Sequence, residues 1–356
     1  MATKILMTGN DAMSEGAIRA GCRYYYGYPI TPQNEVPEYM SRRMPEVGGT
    51  FIQSESELAA INMVLGSAAA GKRAMTSSSS PGISLKQEGI SYIAGMELPA
   101  VIANVQRGGP GLGDIGASQA DYFQATKGGG HGDYHLIVLA PYTVQEMADL
   151  TTLAFDLADR YRMPVMILAD AQVGQMMEPM EWREYARPDD LPEKDWVLDG
   201  NAGREKRIVR SFFLYPGLLE VHNKHLQEKY ALIFQREVRF EEVNIDEADL
   251  VVVAFGSAAR VARGLVLDAA GDMKIGLFRP ITLWPFPSKR IRELAEEGKR
   301  FLVAELNAGQ MLEDVRLAVE GRSTVDFYGR MGSGMVTIEE MAEKAREIFA
   351  GRGGTR

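Results

Sequence analysis

Through the first 175 residues, short apolar runs bounded by glycine or proline alternate with amphipathic stretches long enough for helices. The candidate strands are Lys4 to Met7, Tyr24 to Gly27, Thr50 to Gln53, Arg73 to Thr76, Ala100 to Val105, Leu136 to Leu139 and Val165 to Ala169. Runs of four to six residues suit strands better than buried helices. Their spacing leaves room for the dozen or more residues that each crossover between parallel strands requires. The pattern therefore predicts repeated strand–helix units around a mostly parallel sheet. Asn10 is the expected cap of a helix through Cys22, Thr31 with Pro32 forms a cap-plus-first-turn start, and Ser54 or Glu55 opens a helix to about Ala70.

The alternation stops at residue 177. Residues 177–247 combine several prolines with clustered acids, as in Arg187-Pro-Asp-Asp-Leu-Pro192, and read as an interdomain arm ordered against other chains. The pattern resumes with strands over Leu250 to Phe255, Lys274 to Phe278 and Phe301 to Glu305, and a helix over Ala258 to Ala270. The expected organisation is an α/β domain over 1–176, the arm over 177–247, and a smaller α/β domain over 248–356.

Charge and cysteine usage narrow the function. A formal net charge of −9 with no basic stripe disfavours nucleic acid and anionic membrane surfaces as partners. Cys22 is the single cysteine, so the chain forms no internal disulfide and cannot by itself ligate an iron–sulfur cluster needing several thiolates. Met1 to Gly9 reads as the approach to a first strand rather than a signal peptide, and no apolar run approaches the ~20 residues of a membrane helix. A cytoplasmic protein is expected.

Several familiar patterns fail on inspection. Gly66 to Lys72 begins like a P-loop, but Arg73 stands where magnesium binding needs Ser or Thr, and the segment ends a helix instead of opening one. Gly111-x-Gly113-x-x-Gly116 is separated from its strand by Pro110 and its neighbours, and reads as a flexible glycine-rich loop lining a cleft. His131 and His135 flank a loop, not one helical face, so no metal site is expected.

Three other segments, Tyr28-Pro-Ile-Thr-Pro32, Gln53-Ser-Glu-Ser-Glu57-Leu-Ala and Gln106-Arg-Gly-Gly-Pro110, each follow a predicted parallel strand directly. That edge is where open α/β sheets bind ligands, so the three should converge.

With Pro81-Gly-Ile-Ser-Leu-Lys-Gln-Glu-Gly89 and Lys127-Gly-Gly-Gly-His-Gly-Asp133, these segments form an ordered set that resembles the alpha subunits of 2-oxoacid:ferredoxin oxidoreductases. Arg279-Pro-Ile-Thr-Leu-Trp-Pro-Phe-Pro287 and Glu305-Leu-Asn-Ala-Gly-Gln310 extend the resemblance over nearly the whole chain. It implies a pyrimidine-type thiamine-diphosphate-binding domain with a parallel sheet, followed by a smaller transketolase C-terminal-like α/β domain. It also implies that thiamine diphosphate lies between two subunits, its diphosphate and Mg²⁺ held by a Gly-Asp-Gly motif on a beta subunit. This sequence has no Gly-Asp-Gly. Iron–sulfur clusters on partner chains, at least part of them on the beta subunit, gamma and ferredoxin-like delta subunits, coenzyme A as co-substrate and ferredoxin as acceptor belong to the same expectation.

Residue by residue, the resemblance makes Glu57 the catalytic glutamate that hydrogen-bonds the aminopyrimidine N1′, with Glu55 as the alternative and a solvated first-turn glutamate as the bland reading. Ala59, Ala60, Ile61 and Val64 offer it an apolar helix. Thr31 and Arg107 are the expected substrate-binding pair, a hydroxyl and a guanidinium suited to a 2-oxoacid head group. Their ordinary readings are a helix cap and a surface charge. Tyr28, Pro29, Ile30 and Gly108 are the expected cofactor contacts. Two departures matter: Ser80 replaces a glycine common before this Pro-Gly, and Gly108-Gly-Pro-Gly-Leu-Gly113 replaces the Ser-Thr-Gly continuation of 2-oxoglutarate enzymes. The second resembles the branched-chain, 2-oxoisovalerate type. A 2-oxoglutarate enzyme, a thiamine-dependent subunit with another electron acceptor, and a noncatalytic nucleotide-binding scaffold remain the alternatives.

Overall fold

The computed structural model describes residues 4–269 and 271–351. Met1 to Thr3, and Ala270 at the expected end of a helix, lie outside them. The first part of the chain runs β1 (Ile5–Thr8), α1 (Gly9–Arg19), β2 (Tyr24–Gly27), α2 (Glu35–Glu46), β3 (Thr50–Gln53), α3 (Glu57–Ala69), β4 (Ala74–Ser78), α4 (Ser80–Gly95), β5 (Ala100–Gln106), α5 (Tyr122–Thr126), β6 (Ile137–Leu139), α6 (Val144–Tyr161), β7 (Pro164–Asp170) and α7 (Ala171–Gln175). It continues through β8 (Met177–Met180), α8 (Leu218–Arg236), β9 (Phe240–Val243), β10 (Leu250–Val253), α9 (Gly256–Gly264), a π-helical turn (Leu265–Ala269), β11 (Ile275–Pro280), β12 (Thr282–Trp284), α10 (Ser288–Glu296), β13 (Arg300–Glu305), α11 (Gln310–Val319), β14 (Val325–Gly329) and α12 (Ile338–Phe349).

The main sheet has the order β12-β6-β7-β5-β4-β2-β3 and is parallel except for β12 at one edge. Every residue of β4, β5 and β7 is buried, as in strands covered by helices on both faces. On one face Met13, Ala17, Met40 and Phe155 of α1, α2 and α6 form the core; on the other lie Ile61, Val64, Ile83 and Ile90 of α3 and α4. A second sheet, β14-β13-β10-β11-β9, is parallel except for β9.

The expected first strand exists, but outside the main sheet. It pairs antiparallel with β8 in a two-stranded ribbon, and Leu6 is 62% exposed. A strand with one wet face cannot occupy the middle of a doubly covered parallel sheet. Helix starts also shift. Thr8, not Asn10, caps α1 by accepting from Asp11 N at 3.1 Å, while the buried Asn10 side chain donates to Pro32 O at 3.0 Å. Helix α2 begins only at Glu35, leaving Thr31 in the preceding loop. Ser56 caps α3 and makes Glu57 its first residue.

Residues 177–247 are packed on the chain itself. They contain β8, the 19-residue α8 and β9, which joins the second sheet. Leu226, Tyr230 and Ile233 of α8 are buried at helical spacing, and Trp196 is buried against the α3–α4 side of the core.

Two buried polar seams join the sheets. Arg279, 1% exposed, donates to both carboxylate oxygens of Glu146 at 2.7 and 2.9 Å and to Glu241 at 2.8 Å, with its guanidinium 3.9 Å from the centre of the Tyr142 ring. Asp170, at the end of β7, caps α9 from across the interface by accepting from Ser257 N at 2.9 Å and Ser257 Oγ at 2.8 Å. Gly256 makes this approach possible: it has φ +53°, and a Cβ there would stand 2.8 Å from Asp170 Oδ2.

Candidate functional site

The strand order puts the carboxyl ends of β5, β4, β2 and β3 side by side, and each delivers one part of the site. Beyond β5, Arg107 is 7% exposed and donates through Nη1 to Thr31 O at 3.0 Å and through Nη2 to Leu112 O at 2.9 Å. Its Nε is buried with no partner among the described residues. The residue is thus no ordinary surface charge, and it ties the loop after β5 to the loop after β2. Thr31 Oγ1 accepts from Asn34 Nδ2 at 3.0 Å, so its side chain faces the α2 approach while its carbonyl meets Arg107. Tyr28 and Pro29 are exposed and Ile30 is half-buried, placing this loop at the rim.

The glycine-rich loop differs from its expected flexibility. Arg107 pairs with Ala117 in an antiparallel bridge, Gly108 N donates to Gly116 O at 3.1 Å, and Asp114 N donates to Gly108 O at 3.0 Å. Gly108 is buried, and a Cβ on it would come 2.9 Å from Ser333 Oγ of the second half. The loop does line a cleft, a cavity of about 450 Å³ bounded by Pro81, Arg107, Pro110, Asp121, Leu306 and Met331 among others.

After β3, the first turn of α3 carries Glu57, 6% exposed, while Glu55 lies on the surface and accepts from Ser56 Oγ at 2.7 Å. Between Glu57 and Arg107 sits the start of α4. A Cβ on Gly82 would come 2.5 Å from Glu57 Oε1 and would collide with Ser78 Oγ, so backbone and carboxyl touch only because residue 82 is glycine. Ser80 Oγ accepts from Arg107 N at 3.1 Å and donates to Asp121 at 2.6 Å, a carboxyl that burial raises above its ordinary range. Among the described residues the hydroxyls of Thr76, Ser78 and Ser79 are buried without partners, and at the start of α4 Ser79 makes no side-chain cap while Asn104 Oδ1 accepts from Ser80 N at 3.1 Å.

Sequence reasoning missed Lys86. It is fully buried on α4, its Nζ donates to Ser77 O at 3.3 Å, and burial pulls it down to about 7 against the opposing pull of Glu57. The signal was present: Lys86 falls at helical spacing with the buried Ile83, Ile90 and Ile93, where a charge is out of place. Glu305, within a motif singled out above, serves structure instead. It is fully buried, accepts from Met311 N at 2.8 Å and Leu312 N at 3.0 Å at the start of α11, and burial lifts it to about 7. His135 stacks on Trp284 at 4.5 Å as a core aromatic, and among the described residues no cluster of three His, Cys, Asp or Glu is arranged to hold a metal.

Comparisons with known proteins fit this geometry. Residues 15–231 match the family model described as "Pyruvate flavodoxin/ferredoxin oxidoreductase, thiamine diP-bdg", and residues 248–341 match "Pyruvate:ferredoxin oxidoreductase core domain II". The ketoisovalerate oxidoreductase subunit VorB of Methanothermobacter thermautotrophicus is 54% identical over 349 residues, covering 98% of each chain. The 2-oxoglutarate synthase subunit KorA of the same organism is 36% identical, covering 96% of this chain and 98% of its own. A solved 2-oxoglutarate:ferredoxin oxidoreductase from Magnetococcus marinus, with 2-oxoglutarate, coenzyme A and succinyl-CoA bound, superposes with TM-score 0.85 at 28% identity. The match covers 97% of this chain, which spans 65% of that one. A split-gene transketolase shares the fold, with TM-score 0.59 at 12% identity.

Fold and site together define a two-part α/β chain whose first part is a thiamine-diphosphate-binding domain. The chain belongs to the pyruvate and 2-oxoacid:ferredoxin oxidoreductase family, whose relatives here are named as subunits of multi-subunit enzymes. No helix among the described residues is long and apolar enough to cross a membrane.

Proposed function

We propose that this chain is the alpha subunit of a 2-oxoisovalerate-type 2-oxoacid:ferredoxin oxidoreductase. The reaction converts a branched 2-oxoacid and coenzyme A to acyl-coenzyme A and CO₂, passing two electrons singly to ferredoxin. The observation that carries the reading is the placement of Glu57, Thr31 and Arg107 along one edge of the sheet, with Glu57 buried against the bare backbone of Gly82 and Arg107 buried against Ser80 at the start of the same helix. The buried carboxyl, the glycine cradle and the three partnerless hydroxyls of Thr76, Ser78 and Ser79 suit a polar heteroaromatic half-molecule. The first part of the chain, residues 1–176, would hold the aminopyrimidine half of thiamine diphosphate. In the same proposal residues 248–356 close the cavity, and 177–247 join the two parts.

Thiamine diphosphate, once bound, supplies the electron sink for decarboxylation. Glu57 would hold the aminopyrimidine half through a hydrogen bond, and its burial excludes bulk water from that contact. Tyr28, Pro29, Ile30 and Gly108 would border the cofactor. Arg107, with its free Nε, and Thr31 orient the substrate carboxylate. Among the described residues Arg107 is the one cation lining the cavity of about 450 Å³, enough for one carboxylate, while Pro81, Pro110, Leu306 and Met331 give it an apolar wall. That lining favours a branched aliphatic 2-oxoacid over the dicarboxylate 2-oxoglutarate, in step with the higher identity to the ketoisovalerate subunit.

A beta subunit would supply the diphosphate and Mg²⁺ site, and gamma and delta subunits the remaining clusters. One buried cysteine cannot ligate a cluster here. A cytoplasmic assembly is part of this reading. The test is a substrate panel on the reconstituted complex with a viologen acceptor. The highest kcat/KM is expected with 2-oxoisovalerate, and Arg107→Ala should raise its KM roughly ten- to a hundredfold, as loss of a charge-assisted hydrogen bond does. Preference for 2-oxoglutarate, or an unchanged KM, would remove the substrate assignment.

A further inference from the structure

A lysine with no exposed surface and no carboxylate in hydrogen-bond contact is rare, because burying an unpaired ammonium is costly. Lys86 is in this position. Its Nζ is anchored on Ser77 O at 3.3 Å, and its Cα lies one helical turn beyond Gly82 on the same face of α4. Glu57 Oε1 rests against that same glycine, 2.5 Å from where its Cβ would be. The ammonium and the carboxyl therefore meet the same stretch of α4 from two sides.

We propose that Lys86 is the positioning residue for Glu57: anchored on the Ser77 carbonyl, its ammonium faces the Glu57 carboxyl through the α3–α4 contact and sets that carboxyl's orientation toward the cofactor. The inference rests on the role of Glu57 argued above. The other ionisable groups around α4 are placed differently. Tyr25 of β2 reaches the Ser77 hydroxyl at 2.7 Å, Asp121 sits on Ser80 at the start of the helix, and Glu88 with Tyr92 occupies the outer face. Glu57 alone supplies an opposing charge to Lys86, and burial is the larger influence, drawing the lysine down to about 7. The ammonium thus titrates inside the working pH range, so the positive charge that faces Glu57 is itself present or absent according to pH.

The test combines kinetics of the reconstituted holoenzyme with unfolding of the full chain. Wild type, Lys86→Met, Lys86→Gln and Lys86→Arg are compared in kcat/KM across pH, with Glu57→Gln as control. Removing the ammonium in Lys86→Met and Lys86→Gln should shift the acid limb upward by about one pH unit, the usual effect of losing an adjacent opposite charge. Lys86→Arg, which keeps a positive charge at all working pH values, should restore the acid limb.

Unfolding needs no cofactor. The lysine is lowered from 10.5 to about 7 by folding, so its destabilising contribution is complete below pH 7 and fades as pH rises toward 10.5. Lys86→Met should therefore melt above wild type at pH 6, with the gap closing by pH 10. An unmoved acid limb in both neutral variants, or a melting gap independent of pH, overturns the proposal. If Glu57→Gln keeps its activity, the role of Glu57 has failed first; if Glu57→Gln is inactive and the Lys86 variants keep the wild-type profile, only the role of Lys86 has failed.

Discussion

Gly82 shows how much of this site depends on a missing side chain. Glu57 and Arg107 stood out in the sequence because each closely follows a strand in a polar segment, and both prove buried. Lys86 and Gly82 were not singled out, since both lie inside a helix where the apolar stripe of Ile83 and Ile90 dominates the pattern. Nothing in the local sequence says that α4 will touch the carboxyl of α3. Gly82→Ala puts a methyl group against Ser78 Oγ and Glu57 Oε1, and the flexible glutamate yields first. Displacing a positioned group by about 1 Å costs on the order of a hundredfold in rate. Gly82→Ala is thus expected to lower kcat/KM of the complex about a hundredfold while circular dichroism stays that of the wild type. Unaltered kinetics would show that the carboxyl needs no such fit.

At the scale of elements, existence was easier to read than boundaries. The alternation located the buried parallel strands, but helix starts moved by two residues where two capping candidates stood close together, as with Thr8 against Asn10 and Ser56 against Ser54. Helix α8 escaped notice because exposed Leu218, Leu219 and Val221 blur the stripe of Leu226, Tyr230 and Ile233. The α3 cap bears directly on function. Ser56 Oγ accepts from Ala59 N at 3.3 Å, and the turn it closes carries Glu57. Ser56→Ala should destabilise the chain by about 1 kcal/mol, read as a lower urea midpoint at unchanged m-value. Ser56→Asp, able to accept the same hydrogen bond, should recover most of the loss; equal midpoints for all three chains would mean that the turn is held by packing alone.

For the whole molecule, two α/β units were apparent from where the alternation stops and resumes, yet their joining was not. Strand β12 is only three residues long, lies between Pro280 and Pro285, and crosses from the second half to the edge of the first sheet. A segment so short carries no period. Arg279, just before it, supplies the lasting tie through Glu146 and Glu241. Replacing the arginine with methionine fills the space but strands Glu146, which burial raises above the ordinary carboxylate range even with Arg279 opposing. Breaking a buried pair in this way costs about 3 kcal/mol, at the low end of the usual range because Glu146 keeps some contact with solvent. A carboxyl with a raised folded-state value is no burden while protonated in both states and becomes one as pH climbs and the unfolded chain ionises it freely. Arg279→Met is therefore expected to show its largest melting deficit near pH 8 and a smaller one near pH 5, with faster proteolysis between the two halves at the higher pH. A deficit that grows on acidification would place the stabilising charge on some group other than Glu146.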